Sequence, residues 1–149
     1  MFHQFQDMYD AVTEEAKNSD IIIKAAAVAD YTPLNVSDNK IKKKDGDMSI
    51  ALKRTKDIIG TLGEHKKEGQ FICGFSMETE NVIANSKDKL IKKNMDMIVA
   101  NNVKVAGAGF GTDTNVVTII TGEDNIELPM MSKEDVASKI LDFIMAKRR

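Results

Sequence analysis

The feature that most limits the possible folds is an apolar run at residues 21–28, which contains one lysine and leads to Asp30 and Tyr31. A short continuous run of this kind is typical of a strand covered on both faces in a parallel sheet. Ligands of open α/β sheets bind beyond the carboxyl ends of the strands. The sequence therefore predicts a buried strand that is followed by a candidate functional carboxylate, Asp30.

Helical and extended patterns alternate along the rest of the chain. Apolar residues spaced three and four apart predict helices at 5–18, at 55–69 after a Thr55 cap, at 80–93, and after a Ser132 cap. Short apolar runs predict strands at 70–75, 95–100, 115–120 and 126–128. The last two strands are expected to pair antiparallel. This order predicts an α/β fold with a mostly parallel sheet, and a helix at the very start suggests that N-terminal strands are missing ahead of it.

A lysine-rich flap is predicted after the first strand. Residues 40–44 contain four lysines, Asp45 and Gly46 follow as a two-residue turn, and apolar residues alternate with polar ones over 48–52. This pattern is typical of a projecting β-hairpin. Its lysines suit the binding of phosphate as point charges, but lysines also protect solvated strand edges from aggregation, so both interpretations stay open.

Four further side chains have a functional and a structural interpretation each. Asp30 suits Mg2+ or a ribose hydroxyl, or simply a turn. Lys89 and Lys93 lie four apart on one helix face, where an anion would relieve their repulsion, although solvent exposure is the simpler explanation. Phe75 follows a glycine at the end of a strand, where it suits either base stacking or core packing.

Composition excludes several classes of protein. At 149 residues the chain fits one domain, residues 1–149, and its net charge of -2 gives no general reason to expect nucleic acid or an anionic membrane. The single cysteine, Cys73, excludes an internal disulfide and is expected to be inert packing in a cytoplasmic protein. The apolar runs are too short for a membrane span. The glycines of residues 107–111 do not match a phosphate-binding loop.

Five segments of the chain form a specific combination in this order. They are AAVADY at 26–31, KIKK at 40–43, GFSMET at 74–79, KLIKKN at 89–94 and DMIVANN at 96–102. Together they resemble phosphopantothenoylcysteine synthetase, the phosphopantothenate-cysteine ligase of coenzyme A biosynthesis. The resemblance spans nearly the whole chain. It implies a Rossmann-like three-layer αβα fold and a homodimer.

The resemblance also implies a reaction and its participants. CTP with Mg2+ activates 4'-phosphopantothenate as an acyl-cytidylate, and the amine of L-cysteine then displaces CMP. A phosphopantothenoylcysteine decarboxylase, fused or separate, is a further expected partner. Lys40 matches the flap lysine that closes over the acyl-cytidylate and is the expected catalytic residue. The other implied site residues are Asp30, Phe75, Lys89 and Lys93 for the nucleotide, Asp30 also for the metal, and Ala26 and Ala27 near the acyl group.

The chain departs from the family pattern in three places. Thr55 and Lys56 replace a proline and an asparagine, Asn102 replaces an aspartate, and the opening glycine-rich segment is absent. Little or no ligase turnover is therefore expected from this chain alone. The alternative is a non-catalytic Rossmann-like nucleotide-binding or dimerisation module. A nicotinamide-dependent reductase is disfavoured because no GxGxxG follows a strand.

Overall fold

The structure is a computed structural model that describes residues 5–37, 39–43, 45–78, 81–102 and 113–148. The helices are α1 (Phe5–Glu15, continued by a 3-10 turn at Ala16–Asn18), α2 (Ile58–Glu64), α3 (Val82–Lys92) and α4 (Lys133–Lys147). The strands are β1 (Ile21–Lys24), β2 (Tyr31–Pro33), β3 (Leu52–Arg54), β4 (Phe71–Glu78), β5 (Met97–Asn102), β6 (Thr114–Asn115), β7 (Val117–Ile120), β8 (Asn125–Glu127) and β9 (Met131–Ser132). The predicted alternation of helices and strands is confirmed.

The central sheet has the strand order β1-β4-β5-β7-β8 within the described residues. β1, β4 and β5 are parallel, β7 is antiparallel to β5, and β8 is antiparallel to β7. Four of these five strands therefore point the same way, as the mostly parallel prediction requires. The predicted antiparallel pair near the C-terminus is β7 with β8.

Helices cover both faces of this sheet and bury a separate core on each. Side chains of β4 and β5 alternate between the two cores, because successive strand residues point to opposite faces. Cys73, Met97 and Val99 pack with Ile140 and Ile144 of α4. The opposite core combines α1, α2 and α3 with the other strand face through Ile58, Ile59, Leu62, Ile72, Leu90, Met95 and Ile98. The predicted three-layer αβα architecture is confirmed.

The first strand is shorter and more exposed than predicted. β1 ends at Lys24, and residues 25–29 leave the sheet without regular structure. Ile21 and Ile22 are half-buried and Ile23 is 39% exposed. Ile21 packs against the core on the α4 side and Ile22 against the opposite core, so both faces of β1 are partly covered, as expected. The covering is incomplete because β1 has a hydrogen-bonded neighbour on only one side among the described strands. Full burial is seen in β5, where Met97–Ala100 are buried.

The lysine-rich segment projects, but it does not form the predicted hairpin strands. We define the lysine arm as residues 34–37, 39–43 and 45–51, all of them exposed and without strand structure. The hydrogen-bonded strands are instead β2 and β3, which bracket the arm, and the Leu34 N–H donates to the Ala51 carbonyl at 2.8 Å. Ile41 and Ile50 are 64% and 61% exposed. The apolar side chains of the arm are therefore not buried against any described part of the chain, although they alternate with polar ones in the sequence.

Two helix starts test the capping predictions. Ser132 caps α4 as predicted, accepting a hydrogen bond from the Asp135 N–H at 3.0 Å. α2, however, begins after Asp57, whose carboxylate accepts from the Gly60 N–H at 3.0 Å. The Thr55 cap is therefore wrong, because the Thr55 side chain is engaged elsewhere. None of the helices in the described ranges combines the length and the apolar character needed to span a bilayer.

Candidate functional site

A cleft of about 530 Å³ lies beyond the carboxyl end of β1 and beside the second half of β4. The loop after β1, the residues before α2, and the last turn of α3 form its other walls. Six of the seven predicted site residues line this cleft, namely Ala26, Ala27, Asp30, Phe75, Lys89 and Lys93. The structure therefore gathers residues from four separate parts of the chain at the edge of the sheet where ligands of α/β proteins bind.

Lys40 is the exception among the predicted residues. It lies on the lysine arm, is exposed, and does not line the cleft. Its predicted closing movement over a bound intermediate stays a prediction. Lys44 of the same lysine run lies outside the described residues, as do the glycines of residues 107–111.

Asp30 is held at the cleft by backbone contacts with the residue that follows β3. Its carbonyl accepts the Thr55 N–H at 2.9 Å, and the Thr55 hydroxyl donates to the Ala29 carbonyl at 2.7 Å. These two hydrogen bonds fix the end of the loop that carries Ala26 and Ala27. The Asp30 side chain is left exposed at the mouth of the cleft. Thr55 thus has a clear structural role at the cleft.

Asp57 and Lys93 form an ion pair inside the cleft, with 2.8 Å between Oδ2 and Nζ. The other carboxylate oxygen of Asp57 caps α2. Partial burial raises the pKa of Asp57, but the hydrogen bonds from Lys93 and Gly60 and the positive charges of Lys93 and Lys24 together lower it below its usual value. The sequence analysis missed Asp57, although an acid just before an apolar helical pattern is a recognisable cap signal.

Lys24 is a second cleft residue that the sequence analysis did not identify. It is the last residue of β1 and half-buried, and its Nζ donates to the Ala26 carbonyl at 3.0 Å. Burial lowers the pKa of Lys24, the charge of Asp57 opposes this, Lys93 lowers the pKa further, and Asp30 raises it, with a net lowering. The available signal was a single lysine within an otherwise apolar strand.

Gly74 and Phe75 support structural packing as well as the cleft. A Cβ atom on Gly74 would lie 2.7 Å from Ile59 Cδ1 and 2.9 Å from Met95 Sδ, so the glycine lets the core close against β4. Phe75 is half-buried and packs against the core on the α4 side, and it also lines the cleft. Base stacking by Phe75 stays a prediction.

Two further expectations concern reactive groups. Cys73 is fully buried in the core, which confirms the expectation that it is a packing residue. Burial, followed by the charge of Asp96, raises the pKa of its thiol to about 12. The described residues contain no group of three or more His, Cys, Asp and Glu side chains arranged to hold a metal ion. Asp30 as a metal ligand stays a prediction that depends on oxygen atoms from a ligand.

The fold and the cleft define a class of protein, an α/β domain with a cleft beyond the carboxyl ends of its parallel strands. A family model described as the DNA/pantothenate metabolism flavoprotein C-terminal domain matches residues 3–147. The chain belongs to this family.

One relative is the coenzyme A biosynthesis bifunctional protein CoaBC of Bacillus subtilis (strain 168). It is 53% identical over 141 residues, which cover 94% of this chain and 34% of that protein. The chain therefore spans about a third of the length of the curated relative that it matches. Because the match covers only this part of the relative, the similarity alone does not assign the activities of the whole relative to this chain.

Solved structures share the fold. The crystal structure of the C-terminal domain of a coenzyme A biosynthesis bifunctional protein CoaBC matches with a TM-score of 0.78 and 43% identity, covering 98% of this chain and 65% of that one. A Cab2 mutant in complex with phosphopantothenate-cysteine matches with a TM-score of 0.75 and 18% identity, covering 99% of this chain and 51% of that one. At that identity the second match shows the fold alone.

Proposed function

We propose that the chain is part of a phosphopantothenate-cysteine ligase of coenzyme A biosynthesis. The observation that carries the proposal is the gathering of six predicted site residues in one cleft. The similarity to a protein named for coenzyme A biosynthesis supports it, as does the fold shared at 43% identity with the C-terminal domain of a protein of the same name.

The proposed reaction has two steps. A carboxylate oxygen of 4'-phosphopantothenate attacks the α-phosphorus of CTP, an O–P bond forms, and pyrophosphate leaves. The amine of L-cysteine then attacks the acyl carbon, a C–N bond forms, CMP leaves with the electron pair of the broken C–O bond, and the amine nitrogen loses a proton. The same two steps could use ATP in place of CTP. The choice of nucleotide is therefore tested separately in the assay below.

Positive charge is what the first step needs from the protein. A carboxylate approaching a triphosphate is repelled, and fixed cations offset this repulsion where charge develops. Lys89 and Lys93 line the cleft and are the proposed contacts of the nucleotide. Lys40 would reach the same ligand only if the lysine arm moved toward the cleft. Such closure would also exclude water that hydrolyses the mixed anhydride.

Mg2+ is the proposed metal, and Asp30 is the residue that would hold it. Nucleotide-bound Mg2+ is commonly held by one or two carboxylates together with the phosphates of the substrate, so a single exposed carboxylate at the cleft fits this mode. The bound ion would neutralise phosphate charge. The side chains of this chain would bind and orient the substrates.

Three proposals about context follow from the resemblance. A homodimer is supported by the lysine arm, where Val36, Ile41 and Met48 are 80%, 64% and 66% exposed, since clustered exposed apolar side chains often mark an interface. A decarboxylase, fused or separate, is supported by the word bifunctional in the name of a relative of which this chain covers 34%. The cytoplasm is the proposed location because the protein contains one cysteine, whose thiol is buried.

The test is a pyrophosphate-release assay of this chain with CTP, Mg2+, 4'-phosphopantothenate and L-cysteine, accompanied by titration of each ligand. We expect binding of CTP with Mg2+ that weakens in Asp30→Asn, together with little turnover. Replacing CTP by ATP tests the nucleotide preference, and omitting L-cysteine separates activation from amide formation. Turnover equal to that of a full-length relative would contradict the expected impairment. The absence of both binding and turnover would contradict the ligase proposal.

A non-catalytic nucleotide-binding or dimerisation module is the second candidate. The observation that favours it is the position of Lys40, the expected catalytic residue, away from the cleft. The two candidates differ in their response to 4'-phosphopantothenate. A module of this kind would bind nucleotide without any dependence on the acid substrate, whereas the ligase site binds both.

A further inference from the structure

Lys24 occupies an unusual position for a lysine. It ends a strand of the central sheet, is half-buried, and lines the cleft beside Ala26 and Ala27. Burying an ammonium group is unfavourable unless the charge is paired and hydrogen-bonded. A lysine in this place therefore needs a partner that offsets its lost hydration.

The described part of the chain meets that need only partly. An ammonium has three N–H donors, and the Ala26 carbonyl takes one of them at 3.0 Å. Lys24 is in no ion pair within the described residues, and the carboxylate of Asp57 is bound to Lys93 at 2.8 Å and to the Gly60 N–H at 3.0 Å. The lowered pKa of Lys24 agrees with a charge whose burial is incompletely offset.

The cleft as a whole carries excess positive charge. Its described lining contains four lysines, Lys24, Lys56, Lys89 and Lys93, against the two aspartates Asp30 and Asp57. The Lys93–Asp57 ion pair is neutral as a unit, and Asp30 lies at the mouth. Lys56 and Lys89 are exposed, so Lys24 is the half-buried lysine of this lining that has no ion pair within the described residues.

We propose that Lys24 is an anion-binding residue of the cleft, which holds a carboxylate or phosphate oxygen of the bound ligand next to the Ala26 carbonyl. This inference rests on the proposed function for the identity of the ligand. The Lys93–Asp57 ion pair lines the same cleft. Nothing in the resemblance assigned a role to Lys24, and its chemistry is that of a point charge directed at an anion.

A purely structural role is the competing explanation, since Lys24 also ties down the loop through Ala26. Three substitutions separate the two roles. Lys24→Gln keeps an N–H donor and removes the charge, Lys24→Arg keeps the charge, and Lys24→Met removes both. Lys139→Gln is the matched control, because Lys139 is exposed on α4 and does not line the cleft.

The measurement is calorimetric titration of this chain with CTP and Mg2+, and with 4'-phosphopantothenate, at low and high salt. We expect Lys24→Met and Lys24→Gln to weaken binding of at least one ligand by about tenfold, as for the loss of one charged hydrogen bond. The affinity of Lys24→Arg is expected to stay within about threefold of the wild-type affinity. The affinity of the control Lys139→Gln should equal that of the wild type. The salt dependence of binding should decrease only in the two uncharged variants.

Two truncated ligands identify the anion. Pantothenate has the carboxylate without the phosphate, and 4'-phosphopantetheine has the phosphate without the carboxylate. If Lys24 holds the carboxylate, only pantothenate should lose affinity in Lys24→Gln. If Lys24 holds the phosphate of the acid substrate, only 4'-phosphopantetheine should bind more weakly to Lys24→Gln. If only CTP binds more weakly to this variant, Lys24 contacts the nucleotide.

Three results would overturn the inference. Wild-type affinity in Lys24→Gln with loss only in Lys24→Met would assign Lys24 to holding the loop. Unchanged affinity in all three variants, each shown by thermal unfolding to be folded, would remove any role in binding. A wild-type chain that binds none of these anions would refute the anion site itself. Lys24-dependent binding of CTP by a chain that does not bind 4'-phosphopantothenate would instead contradict only the ligase proposal.

Discussion

The cleft and the lysine arm both contain lysines next to aspartates, but their surroundings differ. In the cleft, Lys93 is 31% exposed and bonded to Asp57, and Lys24 is half-buried. On the arm, Lys40 and Asp45 are exposed and belong to no helix or strand. Water screens the exposed charges of the arm, whereas Lys24 and Lys93 are partly shielded, and burial is the main cause that lowers the pKa of Lys24. The Asp57 side chain is itself 51% exposed, so the partial burial of the lysines and their fixed contacts, rather than residue type, separate the cleft from the projecting segment.

The largest expected contrast between the regions concerns apolar packing. Ile72 is 0% exposed in the core beneath the cleft, whereas Ile41 on the arm is 64% exposed. Ile72→Ala should lower the free energy of unfolding by about 2–5 kcal/mol through lost burial and a cavity. Ile41→Ala should change it by less than about 0.5 kcal/mol. Urea unfolding of both variants measures the difference, and a comparable loss in Ile41→Ala would mean that the arm is packed in solution.

Glycine substitutions test the same contrast through the backbone. A Cβ atom on Gly63 would lie 1.8 Å from the Lys93 carbonyl oxygen, while Gly46 on the arm has φ of +103° and no atom within 4 Å of such a Cβ. Gly63→Ala should destabilise the fold by at least about 2 kcal/mol, because two backbone segments must separate. Gly46→Ala should cost about 1 kcal/mol or less through local strain.

Thermal unfolding checks this pair of glycine variants. Gly63→Ala should also displace Lys93 and weaken any ligand binding in the cleft. Equal melting temperatures for the two variants would contradict the close contact between α2 and the end of α3.

Asp57 should contribute less, and in a pH-dependent way. Its native pKa is lowered, so its contribution is fully present above the unfolded pKa of about 3.9 and is lost as the pH falls through the native pKa. Asp57→Ala removes the α2 cap and the partner of Lys93, which should cost about 1–2 kcal/mol at neutral pH. The matched arm variant is Asp45→Ala, for which we expect no comparable loss.

Denaturant unfolding at several pH values measures the Asp57 effect. The difference between wild type and Asp57→Ala should shrink as the pH falls below about 3.9. A difference that grows in acid would reverse the assigned direction of the pKa shift.

The smallest effect on stability is expected for Lys40 itself. Lys40→Gln should leave the free energy of unfolding within about 0.5 kcal/mol of the wild type, because the side chain is exposed on the arm. Its effect on binding of CTP with Mg2+ then reports whether the arm moves toward the cleft. Lys53→Gln, on the neighbouring strand β3 and outside the cleft, is the control. Equal affinities in both variants would contradict a closing role for Lys40.

Local patterns predicted the order and type of most elements. Helical spacing after Ser132 identified α4 and its buried Ile140 and Ile144, and alternating short runs identified β7 and its antiparallel partner β8. These signals work because a helix or strand repeats over distances of a few residues. The resemblance similarly identified six residues that line one cleft.

Where two neighbouring sequence patterns favour different local structures, the sequence did not show which structure would form. Thr55 and Asp57 are both good helix caps, and Asp57 caps α2 while Thr55 bonds to Ala29. The arm has the composition of a hairpin, yet β2 and β3 pair on either side of it. In both cases contacts with distant segments decide between local alternatives of similar free energy.

The sequence by itself determined the alternation of helices and strands, the absence of an internal disulfide, and the family, because these depend on composition and on motifs read along the chain. Only the tertiary structure decided which charges meet. Lys24, Asp57 and Lys93 come from the end of β1, the start of α2 and the end of α3. No periodicity links such positions, and only the packing of α2 and α3 against the sheet brings their side chains into one cleft.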